Sequence, residues 1–185
     1  VNGDGPTAGA TLSKHPDVQM ISFTGSTRAG RAISKDAADT IKRVTLELGG
    51  KSPNLVFTDC GEELENRVRS SVFECFNNTG QSCDAPTRLL VERSCYKRVL
   101  EIAKTAGHEQ TVGDPALEGD HIGPLVSDIQ FGRVQGHIER AIEDGASLLC
   151  GGAGKPAGFE TGYFVKPTIF ADVTNDMAIA REEVF

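Results

Sequence analysis

Basic residues are scarce in this sequence. Its 185 residues include 19 Lys and Arg against 26 Asp and Glu, which gives a net charge of −7. Because no run of Lys or Arg stands out, the chain is a poor candidate for binding the phosphate backbone of a nucleic acid. It also lacks an apolar run of about 18 residues, which excludes a transmembrane helix, and no signal peptide opens it. We therefore expect no nucleic-acid partner and no membrane span.

Paired cysteines and clustered histidines are absent as well. The five cysteines are odd in number and irregularly spaced, and the lack of any CxxC motif disfavours zinc and thioredoxin-like sites. They are Cys60, Cys75, Cys83, Cys95 and Cys150. The four histidines show no ligand spacing, so we predict no metal site. Free thiols fit a reducing compartment, and we expect a cytoplasmic protein in which most thiols are core residues and one is reactive.

Strands and helices alternate along the sequence, which predicts an α/β fold with a mostly parallel sheet. Glycine is abundant, at 21 of 185 residues, as in turn-rich proteins. Residues 3–9, rich in Gly and Pro, predict a loop. Apolar spacing predicts long helices, two of them capped by Ser94 and Ser127. Runs of β-forming residues predict strands at 17–24, 44–48, 54–57, 88–92, 147–150 and 164–170, the last at an edge because it contains Pro167.

Gly25, Ser26 and Thr27 form a turn between a predicted strand and a predicted helix. Backbone N–H groups and the helix dipole meet at such a turn, which suits an anion such as a pyrophosphate. The segment is neither a GxGxxG motif nor a P-loop. The alternative is that Ser26 or Thr27 simply caps the helix.

Cys83 differs from the other cysteines because it lies in a polar loop bounded by Gly80 and Pro86. A thiol in such a loop can be approached, and nearby N–H donors or a helix N-terminus would favour the thiolate. The alternative is a bystander thiol at the surface. A Cys–His hydrolase built on Cys83 would need a histidine in a marked motif, and the sequence shows none.

Glu47 lies between Leu46 and Leu48, directly before a pair of glycines. A carboxylate held beside apolar side chains is suited to act as a general base. The alternative is a residue on the polar face of a strand, or a salt bridge to Lys51 or Arg43.

Several segments, in the order in which they occur, resemble the aldehyde dehydrogenase superfamily. They are Phe23–Thr27 with Gly30, Leu46–Pro53, Gly80–Cys83 and Glu182–Phe185. Gly123–Leu125 and Tyr163–Thr168 also look like segments of that family. The likeness therefore covers essentially the whole chain.

The resemblance implies a catalytic pair. Cys83 would attack the aldehyde carbonyl to give a thiohemiacetal, loss of hydride would leave a thioester, and Glu47 would activate the water that hydrolyses it. The cofactor would be NAD or NADP, with NAD favoured. The residues placed beside the cofactor are Pro6, Thr24, Gly25, Ser26, Leu48, Glu183 and Phe185. Asp84, directly after the cysteine, departs from the small or polar residue usual in the family.

The resemblance also implies a domain organisation. Residues 1–48 would be the end of a Rossmann-like NAD(P)-binding domain, and residues 49–185 most of an α/β catalytic domain whose last residues return toward the cofactor site. The chain opens without an initiator methionine and ends without a polar tail. We therefore expect an internal piece of a longer protein, inactive when isolated, that forms a homodimer or homotetramer at full length.

Two alternatives stay open. A CoA-acylating aldehyde dehydrogenase would pass the acyl group to CoA instead of water, although Glu47 favours water because a thiol acceptor needs no such base. A catalytically incompetent scaffold would keep the fold without the chemistry.

Overall fold

The computed structural model describes all residues from Val1 to Phe185. The chain divides into two compact units, Val1–Gly50 and Lys51–Phe185. This division falls beside the predicted domain change at residues 48–49. Among the helices of the two units, none has the length and apolar character needed to span a bilayer.

The first unit is a parallel pair of strands with a helix beside it. A turn of π-helix at Gly5–Gly9 is followed by α1 (Ala10–Lys14), β1 (Met20–Gly25), α2 (Thr27–Ala38) and β2 (Arg43–Leu48). The register runs from Met20 opposite Arg43 to Gly25 opposite Leu48. The loop predicted at residues 3–9 is wrong in part. The Asp4 carboxylate accepts a hydrogen bond from the Thr7 N–H at 2.8 Å, which starts the π-helical turn.

Alternation along both strands separates a half-buried face from an exposed one. Leu46 and Leu48 lie on the half-buried face of β2, and Phe23 lies on the half-buried face of β1. A Cβ atom added at Gly30 would lie 2.7 Å from a methyl carbon of Leu48. The glycine therefore lets α2 approach the end of β2 closely, because any larger residue would push the leucine aside.

The second unit contains the remaining elements. They are β3 (Pro53–Val56), α3 (Leu64–Phe76), β4 (Arg88–Val91), α4 (Tyr96–Glu109), α5 (Asp128–Glu143), β5 (Ser147–Cys150), β6 (Ile169–Ala171) and α6 (Ala178–Arg181), with 3₁₀ turns at Thr58–Glu63 and Asn77–Gly80. β3 and β4 pair in parallel, whereas β5 and β6 pair antiparallel. The α/β class is confirmed, and two of the three strand pairs in the chain are parallel.

Two apolar clusters form the core of the second unit. The larger joins α3 and α4 to the β3–β4 pair, and its Val68 and Val99 side chains are fully buried. The smaller packs α5 against loop residues and consists of Leu125, Val134, Ile138 and Val165. The opposite face of the β3–β4 pair is uncovered, since Leu55 and Leu90, which are paired in register, are 61% and 43% exposed.

Two local predictions are wrong. Cys95, not Ser94, precedes α4, because the Ser94 hydroxyl donates to the Glu92 carboxylate at 2.5 Å instead of accepting from the helix. The strand predicted at 164–170 is reduced to Ile169–Ala171 and begins after Pro167, which has no N–H to donate to a partner strand. The predicted cap at Ser127 is confirmed, since its hydroxyl accepts from the Gln130 N–H at 3.2 Å.

Replacing Val68 by Ala will destabilise the second unit. Val68 is 0% exposed in the larger cluster, so its two methyl groups leave a cavity that packed neighbours fill only partly. The free energy of unfolding should fall by about 2 kcal/mol, measured by urea denaturation. Val126→Ala is the matched control, because Val126 is 78% exposed. Equal effects of the two substitutions would contradict this account of the core.

Candidate active site

Thr24 and Glu47, two of the predicted site residues, are neighbours on the first unit. The parallel register pairs Thr24 with Glu47, and both side chains are exposed. Because successive residues of a strand point to opposite faces, Leu46 and Leu48 point away from the Glu47 carboxylate. The apolar flank expected from sequence is therefore not supplied by these two leucines, and Glu47 lies on the polar face of the strand.

The turn after β1 meets the start of α2. Ser26 is the N-cap of α2, and its hydroxyl accepts a hydrogen bond from the Ala29 N–H at 3.3 Å. The capping interpretation of Ser26 is thus confirmed, and the remaining N–H groups of the first turn have no partner inside the helix. A Cβ atom added at Gly25 would lie 2.7 Å from the Phe23 ring, so the turn has no room for a side chain there. Pro6 lies exposed in the π-helical turn.

Cys83 is the most accessible of the five cysteines. It is exposed, whereas Cys95 and Cys150 are buried and the other two are partly covered. The turn that carries it is closed by the Ala85 N–H, which donates to the Ser82 carbonyl at 3.3 Å, and Ala85 itself is buried. The Asp84 carboxylate accepts from the Ser82 hydroxyl at 2.5 Å, so this unusual residue is held within the same turn.

The chain just before Cys83 has an unusual backbone. Asn78, Thr79 and Gly80 all have positive φ, at 51°, 60° and 74°. A β-branched residue rarely adopts this conformation, which costs on the order of 1–3 kcal/mol and persists only where the surroundings enforce it. Sequence reasoning misses this left-handed run, because a threonine gives no sequence signal for positive φ.

The last residues are fixed by a buried glutamine on α5. The Gln130 side chain amide donates to the carbonyls of Val184 and Phe185, both at 2.8 Å, and Val184 packs against the smaller core cluster. Glu183 and the Phe185 side chain are exposed. Gln130 thus bonds to Phe185, a predicted cofactor residue. Sequence reasoning missed Gln130, because its two partners lie 54 and 55 residues away along the chain.

A cavity of about 640 Å³ in the second unit collects three titratable groups that sequence reasoning did not single out. Lys51, Cys75 and His137 line it together with Val184 and Phe185. Burial lowers the pKa of Lys51, the charge of Arg88 adds to this shift, and the charge of Glu183 partly opposes it. Burial raises the pKa of the Cys75 thiol, which keeps it protonated and a poor nucleophile.

The predicted site residues thus fall into two groups. Thr24, Gly25, Ser26, Glu47 and Leu48 lie together at the carboxyl end of the β1–β2 pair, which is where ligands bind in open parallel sheets. Cys83, Glu183 and Phe185 belong to the second unit.

Comparison with known proteins identifies the family. The aldehyde dehydrogenase family profile matches residues 1–185. The chain is 51% identical, over 100% of its length, to a 3-succinoylsemialdehyde-pyridine dehydrogenase of a Pseudomonas species, of which it covers 38%. It therefore belongs to the aldehyde dehydrogenase family.

Solved structures lead to the same conclusion. An aldehyde dehydrogenase of Bartonella henselae matches with a TM-score of 0.95 at 50% identity, over 100% of this chain and 38% of that one. A cysteine-to-alanine mutant of aldehyde dehydrogenase C of Pseudomonas syringae, complexed with NAD+ and octanal, matches with a TM-score of 0.95 at 46% identity and the same coverage. The chain thus spans 38% of the length of these relatives.

Protonation of His137 will destabilise the second unit. Burial lowers the pKa of His137 from its usual value of 6.5, with Glu182 opposing and Lys51 and Arg140 adding to the shift. The unfolded chain therefore binds this proton more tightly, and stability falls as the pH drops from about 6.5 through the lowered pKa. Urea denaturation between pH 7.5 and pH 5 should show that the free energy of unfolding changes less with pH in His137→Gln than in the wild type. His108→Gln is the control, because His108 is exposed. An unchanged slope in His137→Gln would contradict the assignment.

Proposed function

We propose that this chain carries the reaction centre of an NAD(P)-dependent aldehyde dehydrogenase that oxidises an aldehyde to a carboxylic acid. The observation that carries the proposal is Cys83, the exposed thiol of the chain, in a family-matching Gly80–Cys83 segment that directly follows the strained residues Asn78 and Thr79. The Pseudomonas syringae relative binds NAD+ and octanal together, which supports this cofactor and substrate class.

The residues of the first unit fit the cofactor. An anionic pyrophosphate would be held by the uncapped N–H groups at the start of α2, where Gly25 leaves the backbone open and Ser26 fixes the first turn. Thr24 and Leu48 would contact the nicotinamide end of the cofactor, and Pro6 would contact the adenine.

Two residues of the second unit would also contact the cofactor. Glu183 would hold the nicotinamide ribose, and Phe185 would border the nicotinamide ring. When bound, NAD(P) supplies the hydride acceptor, and we propose NAD as the preferred form.

The chemistry proceeds on the sulfur of Cys83. Its thiolate attacks the aldehyde carbon, a C–S bond forms, and the backbone N–H of Cys83 donates to the developing oxyanion. After the carbon has lost hydride, the acyl group remains on the sulfur as a thioester. Glu47 then takes a proton from water, the water oxygen attacks the acyl carbon, and the C–S bond breaks to return the thiolate and release the acid.

In this proposal the domains keep the roles expected from sequence. Residues 1–48 complete the NAD(P)-binding domain, and residues 49–185 form the catalytic domain. The working enzyme is a cytoplasmic homodimer or homotetramer, and 185 residues alone have little or no turnover. A CoA-acylating enzyme is the second candidate, and an exposed carboxylate at Glu47 favours water as the acyl acceptor over CoA.

Replacing Glu47 by Gln tests its proposed role as the base that activates water. Loss of the base should reduce steady turnover by at least about 100-fold, while the first burst of NADH survives because it precedes hydrolysis. Stopped-flow NADH fluorescence of the full gene product, with NAD+ and a panel of aldehydes beginning with octanal, measures both phases. Glu143→Gln on the exposed end of α5 is the matched control. Full turnover in Glu47→Gln would exclude the assigned role of Glu47.

Alkylation of Cys83 distinguishes an enzyme from an inert scaffold. Iodoacetamide at neutral pH should label Cys83 faster than free cysteine, because an activated thiol is partly thiolate. Peptide mapping by mass spectrometry locates the label, and the buried Cys95 and Cys150 serve as internal controls. Labelling of Cys83 no faster than free cysteine would instead support the catalytically incompetent scaffold.

A further inference from the structure

Three hydrogen bonds close the turn that precedes Cys83, and a fourth joins it to a distant segment. The Gln81 N–H and side-chain amide both donate to the Asn78 carbonyl, at 3.1 and 3.2 Å, and the Asn78 amide donates back to the Gln81 carbonyl at 3.0 Å. The Gln81 side-chain oxygen accepts from the Val126 N–H at 3.0 Å. One glutamine therefore both closes the turn and ties it to a distant segment.

Thr79 makes a second tie to the same segment. Its hydroxyl donates to the Gly123 carbonyl at 3.1 Å, although the residue itself sits in the left-handed region at φ 60°. Tertiary contacts must hold such a conformation in a β-branched residue. The bonds of Thr79 and Gln81 to residues 123–126 are contacts of this kind.

Residues 122–127, which include both bonding partners, are held against the core by the buried side chains of Ile122 and Leu125. Leu125 is 3% exposed in the smaller apolar cluster, and its N–H donates to the Tyr163 carbonyl at 3.0 Å. Ile122 on one side is buried, and Ser127 on the other caps α5. The side chains of Thr79 and Gln81, which bond to these residues, are therefore held in place as well.

We propose that Gln81 is a positioning residue for Cys83, holding the nucleophile loop against residues 122–127 with the help of Thr79. The inference rests on the proposed function, and it adds a role that acts through the backbone and not through substrate. Cys83 is exposed and follows Gln81 by two residues, while the buried Ala85 fixes the chain beyond it. Without the glutamine, only the Thr79 bond connects the loop to this segment, and the position of the sulfur is less fixed.

The test compares Gln81 variants in the full gene product. Gln81→Met keeps the length of the side chain and loses both polar contacts, whereas Gln81→Glu keeps an acceptor for the Val126 N–H. We expect kcat and the NADH burst rate to fall by up to about 100-fold in Gln81→Met, the scale of a 1 Å misplacement. The loss should be smaller in Gln81→Glu, and the KM for NAD+ should stay within about twofold of wild type.

Two further readouts separate positioning from general stability. The pH profile of Cys83 alkylation should change in Gln81→Met while the urea midpoint, measured in parallel, stays close to wild type. Thr79→Val, which loses the bond to Gly123, should combine with Gln81→Met less than additively, because both changes release the same loop. Gln19→Met in the first unit is the matched control, since that side chain is exposed.

The outcomes distinguish this inference from the proposed function. If Gln81→Met and Gln81→Glu keep the wild-type kcat and alkylation profile while Cys83→Ser is inactive, Gln81 has no positioning role and the proposed function stands. If the wild type oxidises no aldehyde and labels Cys83 no faster than free cysteine, the proposed function is wrong. If Gln81→Met fails to fold, an unaltered alkylation profile in Gln81→Glu and Thr79→Val overturns the inference.

Discussion

The second unit depends on the burial of α3. Val68 and Val72 fix this helix in the larger core cluster, so its C-terminal end at Phe76 has a defined place and direction. The chain must then reverse before it can enter β4 at Arg88, which pairs with β3 in the same sheet. Three consecutive left-handed residues make that reversal in a short span. Cys83 emerges at the surface because the core on both sides of it dictates where the chain can turn.

Features that repeat along the chain could be predicted from sequence. The strand–helix alternation, long helices such as α3, and the cap at Ser127 all follow from local periodicity and short-range hydrogen bonding. The exposure of Cys83 was also predictable, because a polar loop bounded by Gly and Pro favours the surface.

Features that depend on distant partners could not be predicted. Gln81 and Val126 are 45 residues apart, and an isolated glutamine carries no sign of the N–H that it meets. Ser94 shows that prediction from sequence can also fail between residues that are close along the chain. Its sequence favours a helix cap, but the Glu92 carboxylate competes for its hydroxyl and also accepts from the N–H and the hydroxyl of Thr58. Side-chain hydrogen bonds of this kind are decided by the assembled fold.

The placement of the thiols supports Cys83 as the proposed nucleophile, because it lies in an exposed but restrained loop. Burial raises the pKa of both Cys75 and Cys150, since an apolar surrounding disfavours the thiolate. A cysteine in the core would therefore be inert, and one on an ordinary surface loop would be reactive but mobile. Cys83 is neither buried nor on a mobile loop. Its side chain is exposed, while the backbone around it is bonded to residues 123–126 and to the buried Ala85. An accessible side chain with a fixed backbone at Cys83 therefore comes together with conformational strain at Thr79.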